Sequence, residues 1–258
     1  MVDKDKSTYI ISRFKDLLGI VPTDEQVEKL LKFYDMTIEK NQVMNLTAIT
    51  DFEEFVIKHF VDSVSIVKVL DLKSKKLKVI DIGTGAGFPG IPLKIMFPEL
   101  DITLFDSLQK RLSFLDEVIE QLKLDKICTV HGRAEEFGRK LDYREKYDIV
   151  VSRAVAELTT LCELALPFCK VGGSFISYKG VKGNEELTVA KKAIITLGGK
   201  VSENINFVLQ DGPGRDAEKE KSVRNLIKID KIKPTDHKYP RGGGKPFKAP
   251  LYIDGSSK

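Results

Sequence analysis

The sequence predicts an α/β fold, a mostly parallel sheet ended by an antiparallel hairpin and preceded by a helical N-terminal extension. Three observations carry it. From Leu77 onward the short β-branched runs "KVIDIG", "DITLFD", "ICTVHG", "YDIVVSR" and "GSFISYK" alternate with helical segments, the pattern of a parallel sheet covered by helices. After them, "KVSENINFVL" and "RNLIKIDK" are joined by the polar "QDGPGRDAEKEKSV" with no helix between, so these two strands should be antiparallel. Ahead of them, apolar residues recur at helical spacing.

Taken in order, Thr23 and Gln26 have capping-box spacing, and Val27, Leu30, Leu31, Tyr34 and Ile38 then share one helical face. Thr50 with Glu53 repeats the signal before a second helix over residues 55–70. Residues 1–74 thus read as a helical accessory element, and the solvated "KSKK" joins it to a main domain over 75–230. Within that domain the covering helices are expected over 109–123, 157–170 and 183–197. Residues 231–258 hold Pro234, Pro240, Pro246, Pro250 and glycines 242–244, which oppose regular structure and predict a basic extended tail.

At 258 residues, 42% hydrophobic and 31% charged, the chain can bury one substantial core with a small accessory element. A formal charge of +4 is too mild to indicate a nucleic-acid partner by itself. No apolar run reaches the roughly 18 residues of a bilayer span, and the start "MVDKDKSTYI" has no apolar signal core, so an untargeted cytoplasmic protein is expected. Cys128, Cys162 and Cys169 make no CxxC pair and are odd in number, which points to buried thiols rather than disulfides. Cys162 and Cys169 are expected on one buried helix face. His59, His131 and His237 are scattered without zinc-ligand spacing, so no metal is expected.

The chemistry concentrates in "VIDIGTGAGFPGIPL", an apolar strand running into glycines. A dinucleotide turn, G-x-G-x-x-G, presents free N–H groups to pyrophosphate. Here Gly83, Gly85 and Gly87 are followed by Phe88 where the third fingerprint glycine would fall, with Gly90 beyond it, and Pro89 and Pro92 remove N–H donors. Such a turn allows close backbone approach but cradles phosphate poorly, and it suits a nucleoside without phosphates. Asp106 ends the second strand roughly 20 residues later, where a carboxylate grips ribose hydroxyls. In "GRAEEF", Ala134 and Glu135 can meet an adenine edge. S-adenosylmethionine satisfies the set, its charged amino-acid tail answered by Asp81 and the Gly83 to Gly87 backbone, Gly85 included. Singly, Asp106 could cap the helix beginning near Gln109, and Glu135 could be a solvated acid; together they specify a nucleoside site.

The motifs "MNLTAITD", "KHFVDS", "VIDIGTGAGFPGIPL", "LFDSLQKRLSFL", "GRAEEF" and "VSRAVA" closely resemble the bacterial 16S ribosomal RNA guanine-N7 methyltransferases, the RsmG or glucose-inhibited division protein B family. The resemblance runs over about residues 34–180, with a further match at "YPRGGGKPFKAPL". It implies a Rossmann-like class I S-adenosylmethionine-dependent methyltransferase acting on small-subunit ribosomal RNA, naked or in an assembling particle. It implies a cytoplasmic monomer with no DNA or membrane partner. Carried over residue by residue, it places Gly83, Phe88, Ala134, Glu135 and Arg153 at the cofactor, with Asp106 on the ribose. Phe88 either walls that pocket or sits in the core; Arg153 either steers the nucleotide or fixes the cofactor. RNA contacts are expected at Lys110, Arg111, Lys238, Arg241, Lys245 and Lys248. His59 and Asp62 also match, at a spacing that lets them pair with each other.

Guanine N7 has a lone pair and no hydrogen, so its methylation needs positioning rather than a general base. The fourth strand ends in "SRAV" and lacks the Asp-Pro-Pro-Tyr type of motif of exocyclic-amine methylases, and no Pro-Cys pair offers a nucleophile for cytosine C5. Three rivals remain open at this stage. A nicotinamide oxidoreductase would bind NAD, an RNA-binding module with a vestigial pocket would hold RNA without transferring methyl, and a methyltransferase of another substrate would leave ribosomal RNA unmodified.

Overall fold

The structure, a computed structural model, describes residues 4–73, 75–209 and 222–252. Five strands run parallel: β1 (Lys78–Ile82), β2 (Asp101–Asp106), β3 (Ile127–His131), β4 (Tyr147–Arg153) and β5 (Cys169–Lys179). β6 (Gly199–Leu209) and β7 (Ser222–Lys231) form the expected antiparallel pair. The seven-stranded order is β3-β2-β1-β4-β5-β7-β6, with β7 inserted between β5 and β6 and antiparallel to both. Residues 210–221, most of the polar link read between these strands, lie outside the described residues. Strand order reverses between β1 and β4, and the crevice beyond their C-terminal ends is where such sheets bind ligands.

The N-terminal helices are continuous with the main core. α1 (Lys4–Leu18) buries Ile10 and Phe14, and α2 (Asp24–Met44) buries Val27, Leu30 and Phe33. These join Phe55, Phe60, Ile102, Leu104 and Ile176 in one apolar cluster on one sheet face. The capping box is present: Gln26 N–H donates to Thr23 Oγ1 at 3.3 Å and Thr23 N–H to Gln26 Oε1 at 2.9 Å. The next helix starts one residue later than Thr50 predicted. Asp51 is its cap, accepting the Glu54 N–H at 3.0 Å, while the Thr50 carbonyl takes the Tyr34 hydroxyl. Nor is that helix uniform over residues 55–70. α3 (Phe52–Phe55) opens into a π turn (Val56–Val61), then α4 (Asp62–Val64) and a 3₁₀ turn (Ser65–Lys68).

α5 (Gly90–Met96) follows β1, and α6 (Gln109–Gln121) follows β2. The opposite sheet face is covered by α7 (Ala134–Phe137), α8 (Leu158–Ala165) and α9 (Gly183–Thr196), over a second cluster that includes Ile80, Val150, Leu161, Phe175 and Ile194. α8 is shorter than the predicted 157–170 because Pro167 has no N–H to continue the helix ladder. Cys169 therefore opens β5 instead of sharing a helix face with Cys162, although both are buried.

The C-terminal segment departs most from expectation, since residues 232–252 do not form an extended tail. Prolines and glycines limit it to turns and α10 (Lys245–Lys248), yet it packs back on the domain. The buried Arg144 guanidinium donates to the carbonyls of Thr235 (2.6 Å) and Tyr239 (2.8 Å). Arg241 forms a fork on Glu163, a carboxylate with no exposed surface, at 2.9 and 2.7 Å. Tyr239 and Leu251 join the second apolar cluster. No helix among the described residues is long and apolar enough to cross a membrane.

Candidate active site

A cavity of about 480 Å³ opens beyond the ends of β1, β2 and β3, lined in part by Gly83, Asp106, Ala134 and Glu135. Four residues nominated from three separate motifs thus meet at one place. Its volume lies in the range of small-molecule sites.

The glycine turn explains the cavity's chemistry. Gly83 and Thr84 donate to the Phe105 carbonyl, Gly87 and Phe88 to that of Thr84, and Ile91 to that of Gly87. Gly85 donates to Asp106 Oδ2 and Gly90 to Asp81 Oδ2, each at 2.9 Å. Ala86 and Pro89 aside, every N–H from Gly83 to Ile91 is committed inside the protein, so the turn has little to offer a phosphate. A side chain at Gly83 would run into Val155, and one at Gly90 into Leu104 and Asp81. Glycine keeps the backbone flush with the cavity at the first position and with the sheet at the second.

Asp106 is buried, and its second oxygen accepts the Leu108 N–H at 2.9 Å. Each carboxylate oxygen thus spends one lone pair on backbone and keeps another for a ligand hydroxyl. Arg111, nominated for RNA, lines this cavity 3.8 Å from Asp106. Glu135 is buried at the start of α7. Asp81 and Gly85 do not line the cavity. Asp81 is completely buried; its Oδ2 binds the Thr84 hydroxyl and the Gly90 N–H, while Oδ1 has no hydrogen-bond partner among the described residues. Burial pushes its carboxyl up to about 7.

Arg153 and Phe88 lie elsewhere. Arg153 lines a second cavity, of about 580 Å³, with His59, Asp62, Tyr178, Lys179 and Arg224. Its guanidinium donates to Asp62 Oδ2 (2.8 Å) and the Lys58 carbonyl (3.0 Å), and faces His59 Nδ1 at 3.1 Å. Arg224 holds the other Asp62 oxygen at 3.0 Å. His59 and Asp62 therefore converge on Arg153 rather than pairing with each other. A guanidinium only donates, so His59 Nδ1 is the acceptor and Nε2–H donates to Thr47 Oγ1 at 2.8 Å. Burial, then Arg153, Arg224 and Lys58, holds the imidazole neutral, its pKa lowered to about 2. Phe88 is a core aromatic, stacked on His59 at 4.5 Å and lying beneath the Arg153 guanidinium. The π turn carrying Lys58 and His59 sets this side of the cluster, as such turns often do at functional sites. The two cavities share Ala154 and Val155, directly after β4.

The GidB family, rRNA small subunit methyltransferase G, matches residues 26–213. The chain belongs to this family. Among its relatives is the ribosomal RNA small subunit methyltransferase G of Lachnoclostridium phytofermentans, 51% identical over 96% of this chain and 98% of that protein. The protein of the same name from Acetivibrio thermocellus is 54% identical over 90% of this chain and 92% of its own length. A solved structure from Pyrococcus horikoshii, described as a transferase, shares the fold at TM-score 0.50 and 16% identity, covering 66% of this chain and 62% of that one.

In this member of the methyltransferase G family, the sequence reading missed Arg224, Lys179 and Tyr178 in the second cavity and Gly244 and Phe247 in the first. Strand pairing supplies the first three: Tyr178 opposes Leu226 on β7, beside Arg224 and Lys179. No local motif announces that register. Lys110, Lys238, Lys245 and Lys248 are exposed, whereas Arg241 is engaged with Glu163.

Proposed function

We propose that this chain transfers a methyl group from S-adenosylmethionine to N7 of a guanine in 16S ribosomal RNA of the small ribosomal subunit. The observation that carries this reading is the junction at Ala154 and Val155, where a nucleoside-type cavity meets a second one lined by Arg153 and Arg224. The residues present fit the cofactor: spare lone pairs on a buried Asp106, a flush Gly83, and a turn whose N–H groups are already used. When bound, S-adenosylmethionine supplies an electrophilic methyl group on a sulfonium.

Asp106 accepts the ribose hydroxyls, and Ala134 and Glu135 take the adenine edge. Asp81 is a positioning residue, tying Thr84 to the start of α5 so that the glycine turn keeps its shape. Arg153, backed by Phe88 and His59, takes the carboxylate of the amino-acid end near the junction. In the second cavity Lys58, Arg153, Lys179 and Arg224 outnumber Asp62, Glu157 and Glu186, which suits a phosphate-bearing strand and offers guanidinium donors to guanine O6.

Guanine N7 carries no proton, so no residue here needs to remove one. The surroundings agree: both His59 nitrogens are occupied, and burial pushes the Cys162 thiol up and the Cys169 thiol up to about 12. Alignment in a water-poor site supplies the rate. The substrate places the enzyme in the cytoplasm, on RNA or on an assembling subunit, with no role for DNA or membrane.

The test is transfer of labelled methyl from S-adenosylmethionine by the purified chain. Incorporation into small-subunit RNA and not large-subunit RNA supports the reading; label in neither, with NAD binding instead, would sink it.

A further inference from the structure

Among the described residues, most large apolar side chains that are exposed lie away from both cavities. Leu108, 51% exposed, and Phe247, 53% exposed, both line the nucleoside cavity. Leu108 belongs to the turn after β2, next to Asp106. Phe247 comes from the opposite end of the chain, in α10, and lines this cavity without lining the second.

The backbone under Phe247 is fixed. Pro246, its neighbour, is buried, and its carbonyl accepts the Thr160 hydroxyl of α8 at 3.0 Å. Arg241 clamps the other end of the strap, bonding Glu163 of α8 through its own N–H (2.8 Å) and guanidinium, and reaching the Ala249 carbonyl at 2.8 Å. Leu164, beside Glu163, lines the same cavity. Gly244, in the left-handed region at φ 70, turns the strap into α10 and forms cavity wall itself. A strap tied to α8 at both ends therefore holds an exposed phenyl ring in the wall of the cavity, and α8 in turn packs on the helix that carries Ala134 and Glu135.

We infer that Phe247 is a cofactor-binding residue: its ring covers the adenine of the methyl donor, so the C-terminal strap completes the nucleoside site. This rests on the reading of the cavity as the S-adenosylmethionine site. A purine is a flat apolar face edged with polar atoms, and an aromatic ring laid against it gains contact on binding that water cannot offer. Lys245 and Lys248 flank Phe247 on α10 and are exposed, so the same strap turns an adenine contact inward and cations outward.

The experiment is calorimetric titration of the full chain with S-adenosylhomocysteine and with 5′-methylthioadenosine, which keeps the adenosine and lacks the amino-acid tail. Phe247→Ala should weaken both ligands by a similar factor, on the order of ten-fold from the loss of base stacking. Phe247→Tyr should restore both. Asp106→Asn serves as the control for the cavity. If Phe247→Ala binds both ligands within about two-fold of wild type while Asp106→Asn is weakened, Phe247 does not touch the cofactor, though the cavity assignment stands. Loss for S-adenosylhomocysteine alone would overturn the adenine placement. If neither variant changes affinity, the cavity itself has been misread and the inference falls with it.

Discussion

Arg153 and Asp62 form a 2.8 Å ion pair, joining the end of β4 to the N-terminal helical segment across 91 residues of sequence. Asp62 is buried and holds Arg224 on its other oxygen, so one carboxylate orders two guanidiniums at the mouth of the second cavity. Arg153 also faces His59 Nδ1 and the Lys58 carbonyl.

That fork geometry is specific to arginine. Arg153→Lys should weaken S-adenosylhomocysteine about ten-fold by losing the planar fork, and 5′-methylthioadenosine should be unaffected. Titration of both ligands checks it; an equal loss for both would place Arg153 at the nucleoside instead of the amino-acid end.

Two buried groups make opposite contributions to pH stability. His59, lowered to about 2 in the folded state, stabilises fully above the unfolded value of about 6.5 and loses about 1.4 kcal/mol per pH unit as pH falls below it. Asp81, raised to about 7 from 3.8, stabilises fully below 3.8, and that contribution is lost as pH rises through 7 at a similar slope. Between about pH 4 and 6.5 the two offset. Asp81→Asn keeps an oxygen for Thr84 and Gly90 and removes one side of the balance, so urea denaturation should find it losing stability more steeply on acidification than wild type. His59→Gln should shift the slope the other way. Parallel pH profiles for all three proteins would refute the assignment.

Asp106 accepts a backbone N–H on each oxygen. From sequence, Asp106→Asn looks milder than Asp106→Ala; the geometry removes most of that difference, because an amide NH₂ would confront one of the two N–H groups. Both should lose about 1.5–3 kcal/mol of cofactor binding, the range for hydrogen bonds to a charged group. Unchanged affinity with an intact fold would mean that the ribose is held elsewhere.

The local parts of this design were legible in sequence. The glycine turn, Asp106 and the Ala134–Glu135 pair each sit where a strand ends, and parallel strands bring those ends together. Relationships set by long-range packing were not legible. Phe88 reads equally well as pocket wall or core until Phe33, Phe55 and His59 are seen around it. Arg241 reads as one charge in a basic run because its partner Glu163 lies 78 residues earlier, on a helix where a lone acid carries no signal. The π turn after Phe55, which brings His59 between Thr47 and Arg153, likewise has no marker in composition or periodicity.

This difference separates the basic residues expected to meet RNA. Lys110→Gln, Lys238→Gln, Lys245→Gln and Lys248→Gln should each reduce the salt dependence of RNA binding by about 0.7 in log–log slope if the lysine meets a phosphate. Stability should be untouched, as these side chains are exposed. Arg241→Gln should instead destabilise by about 3–5 kcal/mol, leaving the buried Glu163 charge without its partner. Equal salt slopes for the lysine variants and wild type would return those residues to plain solvated surface.

The central claim, methyl transfer to guanine N7 without an acid, base or nucleophile of the chain's own, is tested most directly by identifying the product. Small-subunit RNA treated with the purified chain and S-adenosylmethionine is mapped by borohydride reduction and aniline cleavage, with nucleoside mass spectrometry alongside. The account predicts N7-methylguanosine, undiminished in a folded triple variant with Cys128, Cys162 and Cys169 each replaced by serine. N2-methylguanosine or 5-methylcytidine in the digest would contradict it, since the first requires loss of an amine proton and the second a covalent bond to the ring.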